Sequence, residues 1–277
     1  MKKLNLEELK SAQLNILDVV DKFCKENNIN YFLDCGTLLG GVRHKGFIPW
    51  DDDIDIGMMR DDYNKFLKLF NEKNTRYHLS TCEIEEDFLY PIGKVLDTNT
   101  ILYEPNKETG LKLCINIDVF VYDNAPDDED ECNKMFKKRD LYNKLRFIQL
   151  YPDKYDHSSL IKKIERFFLK IYIKFLPKNY YTKKVVSNSK KYVDKKTKRV
   201  GNFMSQTKFT VDKEIFDSYK NITFEGKKYP APEGYDTYLT NFYGDYMKLP
   251  PKEKRVSHHE FEAYILDENE RITKWKI

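Results

Sequence analysis

No apolar run in these 277 residues approaches the roughly 18–20 that a membrane-spanning helix requires. In the amino-terminal stretch MKKLNLEELK, Glu7 and Glu8 interrupt any signal-peptide core. Cysteine offers no framework either: Cys24, Cys35, Cys82, Cys114 and Cys132 are odd in number, widely spaced and form no C-x-x-C pair. That argues against a disulfide scaffold and against a structural zinc site, and for free thiols in a reducing, cytoplasmic setting. Internal repeats, Gly/Ser linkers and compact nucleic-acid-binding motifs are all missing, so no nucleic acid is expected as partner. Tryptophan is scarce, 2 residues beside 20 Tyr and 18 Phe, so the aromatic content of the core must come from the last two.

Charge is abundant and unevenly spread. The net +3 conceals 14 Lys or Arg between Leu160 and Val200, opposed there only by Glu165 and Asp194. That local balance of +12 leaves −9 for the rest of the chain. A basic segment on an acidic protein suggests an anionic partner or surface.

Hydrophobic periodicity divides the chain into mixed elements. Leu6, Leu9, Ile16, Leu17, Val20 and Phe23 recur at helical spacing, and Asn5 followed by Glu8 fits a capping box. A short β-like run, Ile29 to Asp34, stops at Gly36, and Thr37 to Arg43 reads as a short helix. A loop over 44–52 then leads to a strand from Asp53 to Met58 and a helix from Asp61 to Asn71. Further strands are expected at Tyr77–Thr81, Leu89–Leu96 and Leu113–Val121. From Asp127 to Arg199 the pattern is helical, in three segments. A hairpin around Glu225-Gly226 and a helix from Glu233 to Tyr243 close the series. The expected class is α+β, a mixed sheet with flanking helices plus a helical basic segment. Its divisions are a core over 1–125, the basic segment over 126–205 and a carboxy-terminal piece over 206–277 that folds back on the core as part of one unit.

Chemistry concentrates at Asp51, Asp52, Asp53 and Asp55, four carboxylates within five residues. On a strand, Asp53 and Asp55 share a face about 6.6 Å apart, and repel unless a cation sits between them. An oxygen-liking divalent ion such as Mg²⁺ or Mn²⁺ relieves this. Asp118 is the charged exception on the strand Ile115–Val121, whose odd positions are all aliphatic, and it wants a partner, either a shared metal or a salt bridge. A calcium loop with Asp51, Asp53 and Asp55 at its first ligand positions is the competing reading, but Ile56 stands where the loop demands glycine. Gly36-Thr37, at a strand-to-helix junction, offers backbone amides suited to a phosphate. Arg43, His44 and Lys45 add candidate cationic contacts.

The run from Gly36 to Ile56, GTLLGGVRHKGFIPWDDDIDI, closely resembles the signature of the LicD family, which also contains the fukutin-related proteins. Lys94–Thr100, Ile117–Phe120 and Tyr243–Pro251 are similar to further family segments. Gly41 and Leu96 depart from the common pattern, and the zinc-binding cysteines of fukutin-related proteins have no counterpart. The resemblance implies a nucleotidyltransferase fold and transfer of phosphocholine, or a similar phospho-group, from a CDP-linked donor such as CDP-choline. CMP would be released and the acceptor would be a sugar hydroxyl of a cell-surface glycan, lipid-linked, as in teichoic acid or lipooligosaccharide modification. It implies Mg²⁺ or Mn²⁺ on Asp53, Asp55 and Asp118, with Asp118 also the first choice of base and Arg43 and Lys94 as charge stabilisers. His258 and His259 are weaker candidates for that base. Gly36, Thr37, His44, Trp50 and Tyr243 are the expected substrate contacts. A nucleotidyltransferase adding NMP from an NTP to a small acceptor is the alternative enzyme, and a binding module without turnover the alternative outside enzymes.

From Leu160 to Leu176, apolar residues at 160, 161, 164, 167, 168, 171, 172, 175 and 176 form one helical face opposite Lys162, Lys163, Arg166, Lys170 and Lys174. Core packing with a solvated basic face is the simpler expectation. Peripheral contact with an anionic membrane at its inner face is the other.

Overall fold

The computed structural model describes residues 1–103, 113–150, 159–256 and 262–267. His258 and His259 lie outside them. After a two-residue strand β1 (Lys2–Lys3), helix α1 (Leu6–Asn27) starts on the expected capping box. The Glu8 amide donates to Asn5 Oδ1 at 2.9 Å, and the Asn5 amide to Glu8 Oε2 at 3.0 Å. Asn28 ends the helix in the left-handed region, φ 52°. Leu9, Ile16, Leu17, Val20 and Phe23 face the core, but Leu6, in the first turn where the chain has yet to reach the sheet, is exposed.

The elements that follow are β2 (Phe32–Leu33), α2 (Cys35–Arg43), β3 (Asp55–Met59), α3 (Arg60–Lys73), β4 (Tyr77–Ser80), β5 (Gly93–Asp97), β6 (Thr100–Tyr103) and β7 (Asn116–Ala125). The main sheet runs β2-β3-β7-β5-β4, with β3 and β7 parallel and every other neighbouring pair antiparallel. The register decides the chemistry: Asp55 on β3 stands beside Asp118 on β7, and Asp118 beside Lys94 on β5. Three strands thus bring three charged side chains into one row. Beneath them Ile54, Ile56, Met58, Val119 and Val121 are fully buried, so strand alternation aims the apolar set at the core and leaves the charges for the other face.

Helices α4 (Glu129–Leu150), α5 (Leu160–Ile173) and α6 (Tyr180–Ser189) account for the basic region, and helix ends earlier than its charge pattern predicts. Arg199 opens strand β8 (Arg199–Gly201), which pairs with the far half of β7 and with β9 (Thr210–Asp212). Of the face of α5 expected to pack inward, Leu176 does so, but its residues from Ile161 to Phe175 are on the outside. Leu169, Ile173 and Leu176 make the contact with Ile148 and Tyr181, while Ile161, Phe168 and Phe175 are exposed.

The hairpin β10–β11 (Tyr219–Phe224, Lys227–Pro232) turns at Glu225 and Gly226, φ 49° and 76°, the paired left-handed geometry of a tight hairpin turn. Glu225 then reaches across to the loop after α2: its amide donates to the Lys45 carbonyl and its carboxylate accepts from the Phe47 amide, both at 2.9 Å. Helix α7 (Tyr235–Tyr243) follows, and β12 (Glu262–Ile265) lies between β1 and β6. Hydrophobic packing is continuous from Leu4 to Ala263.

Strands β1, β6, β8, β9 and β12 have no counterpart in the sequence reading. All are four residues or fewer, too short to display a period. The strand expected over Leu89–Leu96 begins only at Gly93, and that expected to end at Val121 continues to Ala125.

One buried ion pair links the layers. Arg60, the first residue of α3, donates from Nε and Nη2 to the two oxygens of Asp123 on β7, at 2.6 and 2.8 Å. Both residues are buried, and Ser189 of α6 also donates to Asp123. Removing Asp123 leaves Arg60 with its longer contact to Glu83 Oε1 at 3.3 Å, and breaking a buried pair in this way typically costs about 3–5 kcal/mol. Asp123→Ala should therefore lower the unfolding free energy by that order in urea titration. A change under about 1 kcal/mol would show the pair to be dispensable.

Candidate active site

The site lies where β2 gives way to α2 and the loop after α2 runs into β3. Asp34 caps α2: its Oδ1 accepts from the Cys35 amide at 2.8 Å, and its carbonyl accepts from Leu38 at 2.9 Å. Asp34 is fully buried and also accepts hydrogen bonds from Tyr122 and Tyr238. Burial pushes its carboxyl up, against the opposing pull of those donors. Cys35 sits in the left-handed region, φ 45°, and its thiol is raised well above the usual range by burial and by Asp34, Asp55 and Asp53. It is therefore a protonated thiol rather than a nucleophile.

Thr37 serves the architecture directly. Its Oγ1 accepts from the Asp55 amide at 2.8 Å, fixing the first turn of α2 to the start of β3. Gly36 lets the acidic loop come close: a Cβ there would lie 2.6 Å from Asp51 Oδ2. Gly40 does the same for the backbone, since its Cβ would lie 2.5 Å from the Gly46 carbonyl oxygen.

Asp51, Asp52 and Asp53 each bring a carboxylate oxygen to within 4.8 Å of the other two. Asp53 lies in the loop just ahead of β3 rather than on the strand, because regular pairing with β7 begins at Asp55, preceded by the Ile54 carbonyl accepting from the Asp118 amide. Asp55 is buried, and its carboxyl is driven well above the usual range by burial first, then by Asp53, Asp118, Asp34 and Asp51. Asp118 forms an ion pair with Lys94, which also reaches Asn116 Oδ1 at 3.2 Å. The structure thus gathers Asp53, Asp55, Asp118 and Lys94 into one region. It adds Asp51 and Asp52 as the carboxylates most closely grouped with Asp53. Among the described residues this trio is the oxygen-rich set compact enough to surround a hard divalent cation.

A cationic and aromatic cluster adjoins the acidic loop through Trp50, next to Asp51 in the chain, and Tyr243. Arg43 donates from Nη1 to the Tyr246 carbonyl at 2.6 Å, tying the end of α2 to the segment after α7. Burial lowers its pKa, Tyr243 raises it and Arg255 lowers it, placing two guanidinium groups and a tyrosine in one neighbourhood. Arg255 lies over the Trp50 ring, 5.7 Å from its centroid, and His44 meets the same ring edge-on at 6.3 Å. His44 is pushed below its usual range by burial and by Arg43, so at pH 7 it is a neutral hydrogen-bonding group rather than a cation. Tyr243 is 40% exposed as a whole residue, while burial of its phenol end together with Cys35, Asp55, Asp34 and Asp51 pushes its pKa up. Lys45 turns aside to donate to the Val42 carbonyl at 3.0 Å.

Sequence reasoning missed Arg255, Tyr122 and Tyr238. Arg255 is an ordinary member of a Lys-Glu-Lys-Arg run more than 200 residues from Trp50, and only the folded chain brings it near.

A strand, a capped helix and an Asp-rich loop entering a strand parallel to a second acidic strand define the catalytic layout of a nucleotidyltransferase-like domain. Comparison with known proteins narrows that class. The family profile described as LicD/FKTN/FKRP, nucleotidyltransferase domain, matches residues 28–149. The lipopolysaccharide cholinephosphotransferase LicD of Haemophilus influenzae is 34% identical over 278 residues, covering 96% of this chain and 100% of that protein. The human ribitol 5-phosphate transferase FKRP is 47% identical over 34 residues, 12% of this chain and 7% of that protein. An uncharacterised protein of Rickettsia typhi is 40% identical over 70 residues, 25% of this chain and 23% of its own length. The chain belongs to the LicD family.

The raised Asp55 carboxyl has a thermodynamic consequence. A carboxyl whose folded pKa exceeds its unfolded value binds protons more readily when folded. It favours the folded state at acid pH and withdraws that contribution as pH rises through the folded pKa. With EDTA present, Asp55→Asn should therefore raise the urea midpoint more at pH 8 than at pH 5. A variant less stable than wild type at both values would contradict this electrostatic reading.

Proposed function

We propose that this protein is a metal-dependent transferase that moves phosphocholine, or a closely similar phospho-group, from a CDP-linked donor to a sugar hydroxyl of a cell-surface glycan. The resemblance to a lipopolysaccharide cholinephosphotransferase along nearly the whole chain supports the reaction class. The single structural observation that supports it most is the carboxylate loop Asp51–Asp53 beside Asp55, with Tyr243 close both to those carboxylates and to Arg43. Such a site suits an anionic diphosphate brought in with a cation.

Asp51, Asp52, Asp53 and Asp55 have the donor chemistry for Mg²⁺ or Mn²⁺, and Asp118 lies in register to join them. A bound ion would supply neutralisation of the diphosphate and alignment of attacking and leaving oxygens. The protein's own residues do the rest. In the first turn of α2 the Asp34 side chain takes the Cys35 amide, leaving those of Gly36 and Thr37 to receive a phosphate oxygen. Arg43 and Arg255 offset negative charge on the leaving nucleotide. Asp118, oriented by Lys94, accepts the proton of the acceptor hydroxyl. The hydroxyl oxygen forms the new bond to the phosphorus of phosphocholine, the bond from that phosphorus to the CMP oxygen breaks, and CMP departs. Tyr243 offers an aromatic surface beside Asp51 and Asp55, an environment suited to a quaternary ammonium head group, while the Trp50 ring carries Arg255.

The test is to incubate the protein with Mg²⁺, a glycan acceptor and either CDP-choline or an NTP, then follow CMP and pyrophosphate. CMP release from CDP-choline with phosphocholine on the glycan is expected. Asp53→Asn and Asp55→Asn should each lower turnover by roughly a hundredfold or more, with circular dichroism unchanged. Arg255→Ala should cost about ten- to a hundredfold in kcat/KM. Pyrophosphate release from an NTP would move the protein to nucleotidyl transfer. Near-normal activity in either Asn variant would remove those aspartates from the mechanism.

A further inference from the structure

The exposed side of α5 is the largest feature that the transfer reaction leaves unused. Its inward stripe is Leu169, Ile173 and Leu176, packed on Ile148 of α4 and Tyr181 of α6. Its outward stripe is Ile161, Ile164, Phe168 and Ile171, continued by Phe175 in the turn after the helix, at intervals of three and four residues, so these side chains stack along one side. Phe167 and Tyr172 widen it. Phe175 is 83% exposed, Ile161 72% and Phe168 64%. Scattered apolar residues at a surface need no explanation, but a continuous stripe of this width on one helix is a docking surface.

The surrounding charge identifies what docks there. Lys170 and Lys174 lie across the helix from the stripe, and the chain from Leu160 to Val200 carries +12. Past the end of the stripe, a cavity of about 510 Å³ is bordered by Lys178, Lys183 and Lys184 together with Glu86 and Asp87, Glu86 standing 4.0 Å from Lys183. A second copy of the chain would bring this same positive segment against itself in any twofold contact, and the two would repel. A flat anionic surface with an apolar interior satisfies both features at once. Aromatic and aliphatic side chains enter the acyl boundary, and lysines remain at the headgroups. None of the described helices is long and apolar enough to cross a membrane, so α5 would lie in the interface rather than span it.

We infer that α5 is an amphipathic membrane-docking helix, inserted through Ile161, Ile164, Phe168, Ile171 and Phe175 into a bilayer surface rich in anionic lipid. This does not rest on the catalytic reading, and its test requires no turnover.

The full chain should co-sediment with vesicles of phosphatidylcholine containing about one third phosphatidylglycerol, more weakly with phosphatidylcholine alone, and less as salt is raised. Ile164→Ser, Phe168→Ser and Phe175→Ser together should reduce vesicle affinity at least tenfold. Because all three side chains already face solvent, circular dichroism and thermal midpoint should not change. Phe168→Trp supplies a second readout: its emission should shift to the blue when anionic vesicles are added. Wild-type protein that stays in the supernatant, or a Phe168→Trp spectrum indifferent to vesicles, overturns the inference. So does a dimer in light scattering that the triple substitution dissociates, which would assign the stripe to a second copy.

Discussion

Five carboxylates share a small volume at the mouth of this sheet, and their mutual repulsion is the constraint to which the surrounding structure answers. Parallel pairing of β3 with β7 fixes Asp55 beside Asp118, and the loop entering β3 brings Asp51, Asp52 and Asp53 to the same place. Burial of Asp55 makes the cost larger, since its charge has little water to spread into. A fold tolerates such a cluster when the stability it forgoes serves binding or catalysis.

The neighbouring residues read as restraints on that repulsion. Lys94 answers Asp118, Thr37 holds the Asp55 backbone, and Asp34 is satisfied by two tyrosine hydroxyls brought from β7 and α7. Glu225, on a hairpin nearly two hundred residues away, takes up the backbone of the loop that leads to the acidic cluster. Deeper in, Arg60 and Asp123 join α3 to the far half of β7, so the strand that carries Asp118 is anchored beyond the site. The acidic loop is thus held from α2, from the hairpin and from the sheet.

Much of this was legible in the sequence where local chemistry decides structure. The Asn5–Glu8 box, the Glu225-Gly226 turn and the alternation through Ile54, Ile56 and Met58 each express a rule that acts within a few residues. Asp53, Asp55 and Asp118 stood out because charge is rare on strands so apolar. What escaped the sequence is non-local. Two- to four-residue strands such as β1 and β12 exist only because their partners are present. Arg255 and Tyr238 reach the site through tertiary packing, with no spacing to announce them. The apolar stripe of α5 was visible, but amphipathicity says only that a face is apolar and not what covers it. Leu169 and Ile173, outside that stripe, make the inward contact instead.

The central claim is that the acidic loop holds a divalent cation, and direct ion binding tests it without reference to substrate. In a Mn²⁺ titration followed by electron paramagnetic resonance, wild-type protein should take up Mn²⁺ and release it to excess Mg²⁺, while Asp53→Asn should lose most of that uptake. Equal uptake by the two proteins would contradict the assignment, as would no uptake by wild type in the presence of CDP-choline.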